Sequence, residues 1–187
     1  YILTNADNAI DFKIMTAEPG VTARPRWREF LAHQEGRYIL GLGATRDYLV
    51  RVERSNALPR IVIRHRGGQE HPIAIEEEAF NLELSGGYEF DTTALRYVYE
   101  SPTTPLKWFD YDMAARTQVL RKTQEIPSGH NPEDYLTGRF FAEASDGKRI
   151  PITILMKRGT PLNGTAPLYL YGYGSYGISM DADFSIR

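Results

Sequence analysis

Three features predict a mainly β chain organised as a partial β-propeller: short alternating segments, turn clusters between them, and a faint internal repeat. The alternation is clearest in Asp47-Tyr48-Leu49-Val50-Arg51-Val52-Glu53, where Tyr48, Val50 and Val52 share one face and mixed residues share the other. Pro59–Arg64 is a β-branched run that begins at a proline, a position a strand tolerates. Comparable segments are Phe12–Ala17, Trp27–His33, Tyr38–Gly43, Glu70–Ile75, Phe80–Leu84, Arg96–Glu100, Lys107–Met113 and Thr117–Lys122. Turns such as Arg66-Gly67-Gly68 and Ser85-Gly86-Gly87 separate several of them. No stretch before residue 125 carries an apolar stripe at helical spacing. Strands about 8–12 residues apart suit a sandwich, a barrel or a propeller. The repeat favours the propeller. Tyr1-Ile2, Ile10 and Phe12 recur as Tyr97-Val98, Leu106 and Trp108, with Tyr38-Ile39-Leu40 and Tyr48 between them in looser register. An offset of 96 residues is about two blades of roughly 40–50 residues each.

Composition narrows the functional classes. The 187 residues are 42% hydrophobic and 25% charged, which excludes disordered and collagen-like chains. With 22 basic against 24 acidic residues the net charge is −2, so no nucleic-acid partner is expected. The chain has no cysteine, which excludes disulfides, thiolate metal sites and a cysteine nucleophile. No apolar run approaches the roughly 20 residues of a membrane-spanning helix, and no membrane partner is expected. The opening Tyr-Ile-Leu-Thr, with no initiator Met, reads as the start of a piece of a longer protein.

The texture changes near residue 125. Glu125-Ile126-Pro127-Ser128-Gly129-His130-Asn131-Pro132 has the composition of a linker, so residues 1–126 are assigned to blades and 127–187 to a second unit. In the second unit, Arg139–Ala144 and Arg149–Leu155 flank Asp146-Gly147, a two-residue hairpin signal in which both positions take positive φ. Ala166-Pro167-Leu168-Tyr169-Leu170-Tyr171 is nearly continuous in apolar residues, as in a strand buried on both faces of an α/β sheet.

Several local patterns fail as sites. Gly172-x-Gly174-x-x-Gly177 matches the dinucleotide fingerprint in letters, but no periodic helix follows it and no βαβ unit contains it. Ser175 lies in Tyr-Gly-Ser-Tyr-Gly, with Tyr173 where a nucleophile elbow requires glycine. His33, His65, His71 and His130 have no metal-ligand spacing and read as surface or strand residues. Glu76-Glu77-Glu78 reads as a solvated loop, and Trp108-Phe109-Asp110-Tyr111 as a core strand. No metal or cofactor is expected.

The run Pro167-Leu168-Tyr169-Leu170-Tyr171-Gly172-Tyr173-Gly174-Ser175-Tyr176-Gly177, followed by Asp181-Ala182-Asp183-Phe184-Ser185, resembles the prolyl oligopeptidase family of serine peptidases, most closely its oligopeptidase B branch. The resemblance extends through Arg96-Tyr97-x-Tyr99-x-Ser101-x-Thr103-Thr104-Pro105, Phe109-Asp110-Tyr111-Asp112-Met113, Leu120–Glu125 and the Ala144–Pro151 hairpin; it is looser over residues 1–95. It implies a seven-bladed propeller capping an α/β-hydrolase domain. Residues 1–126 would then be the last blades, and 127–187 the linker and first strands of the hydrolase. It further implies a cytoplasmic enzyme acting on short peptides, in this branch after Arg or Lys. By resemblance Tyr173 supplies a hydroxyl to the oxyanion, and Tyr176 lies near the substrate pocket. Asp181 and Asp183 would be an acidic pair that meets a basic substrate side chain. The readings that compete are a packing residue at a strand end for Tyr173 and a helix N-cap pair for the two aspartates. The family's Ser, Asp and His follow in that chain order beyond this point, and no Gly-x-Ser-x-Gly occurs here, so the chain alone is expected to be inert. Unpaired strand edges further imply self-association. The alternative function is a propeller-derived binding module without peptidase activity.

Overall fold

The computed structural model describes residues 1–21, 23–87 and 89–186. Strands β1 (Ile2–Thr4), β2 (Lys13–Thr16) and β3 (Arg28–Leu31) form a three-stranded antiparallel sheet. Strands β4 (Arg37–Ala44), β5 (Tyr48–Ser55), β6 (Leu58–His65) and β7 (Glu70–Pro72) form a four-stranded meander. A second meander holds β8 (Asn81–Leu84), β9 (Ala94–Ser101), β10 (Thr104–Asp112) and β11 (Thr117–Thr123). We call these sheets blades 1, 2 and 3. Among the described residues no α-helix forms; helical turns are three-residue 3₁₀ pieces.

Blade 2 is packed on both faces. Val50, Ile61 and Ile63 meet Leu82, Leu95, Tyr97, Tyr99 and Tyr111 of blade 3 in the main core. Leu49 and Ile39 meet Ile14 of blade 1 in a smaller one, flanked by Leu3, Phe30 and Leu31. Period 2 explains the division: Tyr48, Val50 and Val52 turn to blade 3, while Leu49, Arg51 and Glu53 take the opposite face. That face reads as mixed in the sequence and is nonetheless buried. Its charges survive there by pairing: Arg51 Nε donates to Glu53 at 2.6 Å, and its other nitrogens reach Glu70 at 2.6 and 2.7 Å. A buried charge without such partners would be strongly destabilising.

The repeat is corrected in part. Two strands follow β1 within its sheet, as two follow β9, so β1 occupies a second-strand place and the 96-residue match of Ile2 with Val98 is structural. Tyr38-Ile39-Leu40 lies in β4, a first strand, and is not equivalent to either.

After blade 3 the linker leads to a two-stranded ribbon of β12 (Tyr135–Glu143) and β13 (Arg149–Lys157), paired in unbroken register from Tyr135↔Lys157 to Glu143↔Arg149. The hairpin is where Asp146-Gly147 places it, but the turn is different. Ala144 N donates to Lys148 O at 2.8 Å and Gly147 N to Ala144 O at 2.9 Å, leaving a three-residue loop in which Gly147 (φ 79°) takes the left-handed conformation and Asp146 does not. Asp146 Oδ1 instead accepts from Lys148 N at 3.0 Å, a bond that stabilises this wider turn. A two-residue turn with both central residues at positive φ occurs at Asn56-Ala57 (φ 52° and 61°), between β5 and β6.

The buried strand expected at Ala166–Tyr171 does not form. No described strand pairs with it, and Leu168, Tyr169 and Leu170 are 79–86% exposed. A strand needs a neighbour for its backbone hydrogen bonds, and apolar composition alone does not supply one.

Candidate functional site at the tail and blade junction

The residues expected to act lie between the ribbon and residue 186. Tyr169 and Tyr171 stack with their rings 6.3 Å apart. Tyr173 is half-exposed, and Tyr176 is 93% exposed at φ 59° within the single 3₁₀ turn Ser175–Gly177. That isolated turn gives the glycine cluster no helix on which to seat a pyrophosphate. The loop thus presents both tyrosines outward on an irregular backbone.

Four residues later the chain returns to the propeller. Arg54, near the end of β5, grips Asp181 with both terminal nitrogens, Nη1 on Oδ1 and Nη2 on Oδ2 at 3.0 Å. Both side chains are largely buried. Asn81 Nδ2, at the start of β8, donates to Asp183 Oδ1 at 3.0 Å. Phe184 N donates to Glu100 Oε2 of β9 at 2.9 Å, and its ring stands edge-on to His130 with centroids 4.9 Å apart. His130 belongs to the linker, where its Nε2 lies 2.7 Å from Thr103 O and its ring stacks on Tyr135. A four-residue stretch therefore touches blade 2, blade 3 and the linker. No helix forms there, so Asp181 and Asp183 do not cap one.

Electrostatics divide the aspartate pair. The hydrogen bond to Asp181 raises the Arg54 pKa, which holds the guanidinium charged and the pair matched. Burial, together with the charges of Asp181 and Glu83, pushes the Asp183 carboxyl above the usual range. Burial likewise raises Glu100. Asp181 is thus paired with a guanidinium, whereas Asp183 has the Asn81 amide as its hydrogen-bond partner.

The other patterns take structural places. Glu77 accepts from the Tyr99 hydroxyl and, at 3.3 Å, from Thr104, whereas Glu76 and Glu78 are exposed. His71 Nε2 lies 3.1 Å from the Tyr111 hydroxyl, and His65 Nδ1 accepts from Gly67 N at 3.1 Å. Phe109 and Tyr111 face the core, while Trp108 lies on the outer face of blade 3 beneath Lys122. Among the described residues no cluster could hold a metal ion. Arg54, Asn81, Glu100 and His130 were not legible as site residues, because no local motif marks a residue whose partner is about 54–127 positions away.

Stacked antiparallel meanders define a partial propeller, and the family follows from it. The model of the prolyl oligopeptidase N-terminal β-propeller domain matches residues 1–124, and the chain belongs to the prolyl oligopeptidase family. Among relatives, it is 37% identical over 186 residues to the dipeptidyl aminopeptidase BI of Pseudoxanthomonas mexicana, covering 99% of this chain and 26% of that protein. It is 28% identical over 152 residues to protease 2 of Moraxella lacunata, covering 81% and 22%. The structure of oligopeptidase B from Leishmania major superposes with a TM-score of 0.90 at 29% identity, over 98% of this chain and 27% of that one. The chain spans about a quarter of the length of these relatives.

Proposed function

We propose that this chain is the propeller-to-hydrolase junction of a serine oligopeptidase that cleaves short peptides after Arg or Lys. One observation carries the reading. Similarity to dipeptidyl aminopeptidase BI runs over 99% of the chain, so it includes the ribbon and the tyrosine loop as well as the blades. In this reading residues 127–187 begin an α/β-hydrolase domain, and Ala166–Tyr171 is a strand that pairs when later strands of that domain are present. Tyr173 donates to the oxyanion of the tetrahedral intermediate and Tyr176 borders the substrate. Of the acidic pair, Asp183 meets the basic side chain, because Arg54 already pairs with Asp181. A fixed donor at a developing oxyanion contributes about 3–4 kcal/mol. The 187 residues alone should hydrolyse nothing, and their open edges (the exposed β11 and the ribbon) should favour self-association.

The test uses the full reading frame. It should continue into a Gly-x-Ser-x-Gly segment, and Tyr173→Phe should lower kcat and kcat/KM together by roughly 10²-fold with KM little changed. A frame without that segment, or a Tyr173→Phe enzyme with unaltered kcat, would leave the binding-module reading in its place.

A further inference from the structure

Between Arg158 and Asp181 the chain has no strand and no α-helix. At its near end Arg158 is fastened to the linker, Nε to Glu133 O at 2.9 Å and N to Asp134 O at 2.7 Å. At its far end the fastening is the strap Asp181–Phe184. Tyr173 hangs between the two. A flexible segment tied at one end only spreads over roughly 5–6 Å times the square root of its length, which is about 20 Å for the stretch from Arg158 to Tyr173. A second tie at Asp181 shortens that spread severalfold in volume. An oxyanion donor tolerates far less, since a misplacement of about 1 Å can cost roughly 10²-fold.

We infer that Arg54, on the second blade, is a positioning residue for the tyrosine loop: by clasping Asp181 it ties the segment that carries Tyr173 and Tyr176 to the propeller. The geometry singles it out. Asp183 and Phe184 are held by single hydrogen bonds and a ring edge, whereas Arg54–Asp181 is bidentate, charge-assisted and largely shielded from water. This assignment rests on the proposed peptidase reading for its catalytic consequence, but not for the clasp itself. It also separates the two aspartates: Asp181 is structural and Asp183 faces the substrate.

The experiment has two readouts. In this cysteine-free chain, nitroxide labels at Ser179→Cys and Thr117→Cys report the distance between tail and blade, and proton exchange reports the Phe184 amide. Arg54→Met should at least double the width of the distance distribution and speed Phe184 exchange about tenfold or more. Arg46→Met, which removes the exposed bidentate pair with Asp91, should change neither. Reversing both partners, Arg54→Asp with Asp181→Arg, should restore much of the narrow distribution. In the full-length enzyme Arg54→Met should lower kcat about tenfold for basic and neutral substrates alike, with KM little moved; a change confined to basic substrates would return Asp181 to substrate binding and overturn the assignment. An unchanged distance distribution in Arg54→Met overturns the clasp, whatever the activity. A full-length protein inactive before any substitution overturns the peptidase reading and leaves the clasp standing on its distances.

Discussion

The β5–β6 hairpin of blade 2 and the β12–β13 ribbon are built alike and held differently. Each is an antiparallel pair in continuous register, over eight and nine residue pairs. In the blade hairpin Ile61 and Ile63 are fully buried and Val62 nearly so. In the ribbon Leu136, Phe140, Ile150 and Leu155 are 38–49% exposed. The difference teaches that cross-strand hydrogen bonding does not by itself make a stable unit, because unfolded backbone bonds to water almost as well. Blade 2 gains its stability from neighbours on both faces. The ribbon leans chiefly on itself: its own Arg139 and Arg149 lie over the Phe141 ring at 4.9 and 4.4 Å, and Arg139 reaches out to the Asn56 carbonyl at the blade 2 turn.

Substitutions can break this comparison. The largest effect is expected from Ile63→Ala, which opens a cavity in the main core and should cost about 2–5 kcal/mol in denaturant unfolding. A cost as small as that of a ribbon variant would show that the blades are not packed as described. Next is Gly147→Ala. A left-handed φ in a residue with a Cβ costs about 1 kcal/mol, and it should loosen the ribbon amides in hydrogen exchange while the blade amides keep their protection. Simultaneous loss of both would make ribbon and blades one cooperative unit. The mirror test is Ala57→Gly, at the turn where the left-handed residue is not a glycine. Relief of that conformation outweighs the added chain entropy, so the unfolding free energy from denaturant titration should rise by about 0.5–1 kcal/mol.

Asp110 sharpens the blade side through pH. Hydrogen bonds from Arg96 and Arg121 hold its carboxyl down to about 2. A depressed carboxylate stabilises the fold above its unfolded pKa, and that contribution fades as pH falls from about 4 toward 2. Asp110→Asn should therefore flatten this part of the stability profile, and by less than about 1 kcal/mol, since exposed ion pairs contribute little. An unchanged slope would mean the pair forms equally in the unfolded chain. The smallest effect should come from Leu155→Ala on the open face of the ribbon, within about 0.5 kcal/mol by thermal unfolding. A larger loss would reveal a partner covering that face.

Much of the fold is legible because strands announce themselves locally. Twelve of the expected segments, from Phe12–Ala17 to Arg149–Leu155, coincide with strands or overlap them, since period 2 reports a face that will be buried against something. The exceptions show where local signals stop. Asp146-Gly147 marked the hairpin but not its turn, because Asp146 found a partner in the Lys148 amide. Ala166–Tyr171 has the composition of a buried strand and no strand to pair with among the described residues. At the candidate site the tyrosine loop was recognisable by its motif, whereas its attachment to Arg54 was not.

What the amino-acid order determined by itself is the β class and the family, since both rest on patterns within short windows or on one long motif. Tertiary structure alone decided which second faces are buried, and hence why Arg51, Glu53 and Glu70 need one another. It alone brought Asp181 to Arg54 across 127 residues. The physical reason is the same in both cases. Pairing free energy depends on distance and on exclusion of water, and neither is a property of sequence neighbours.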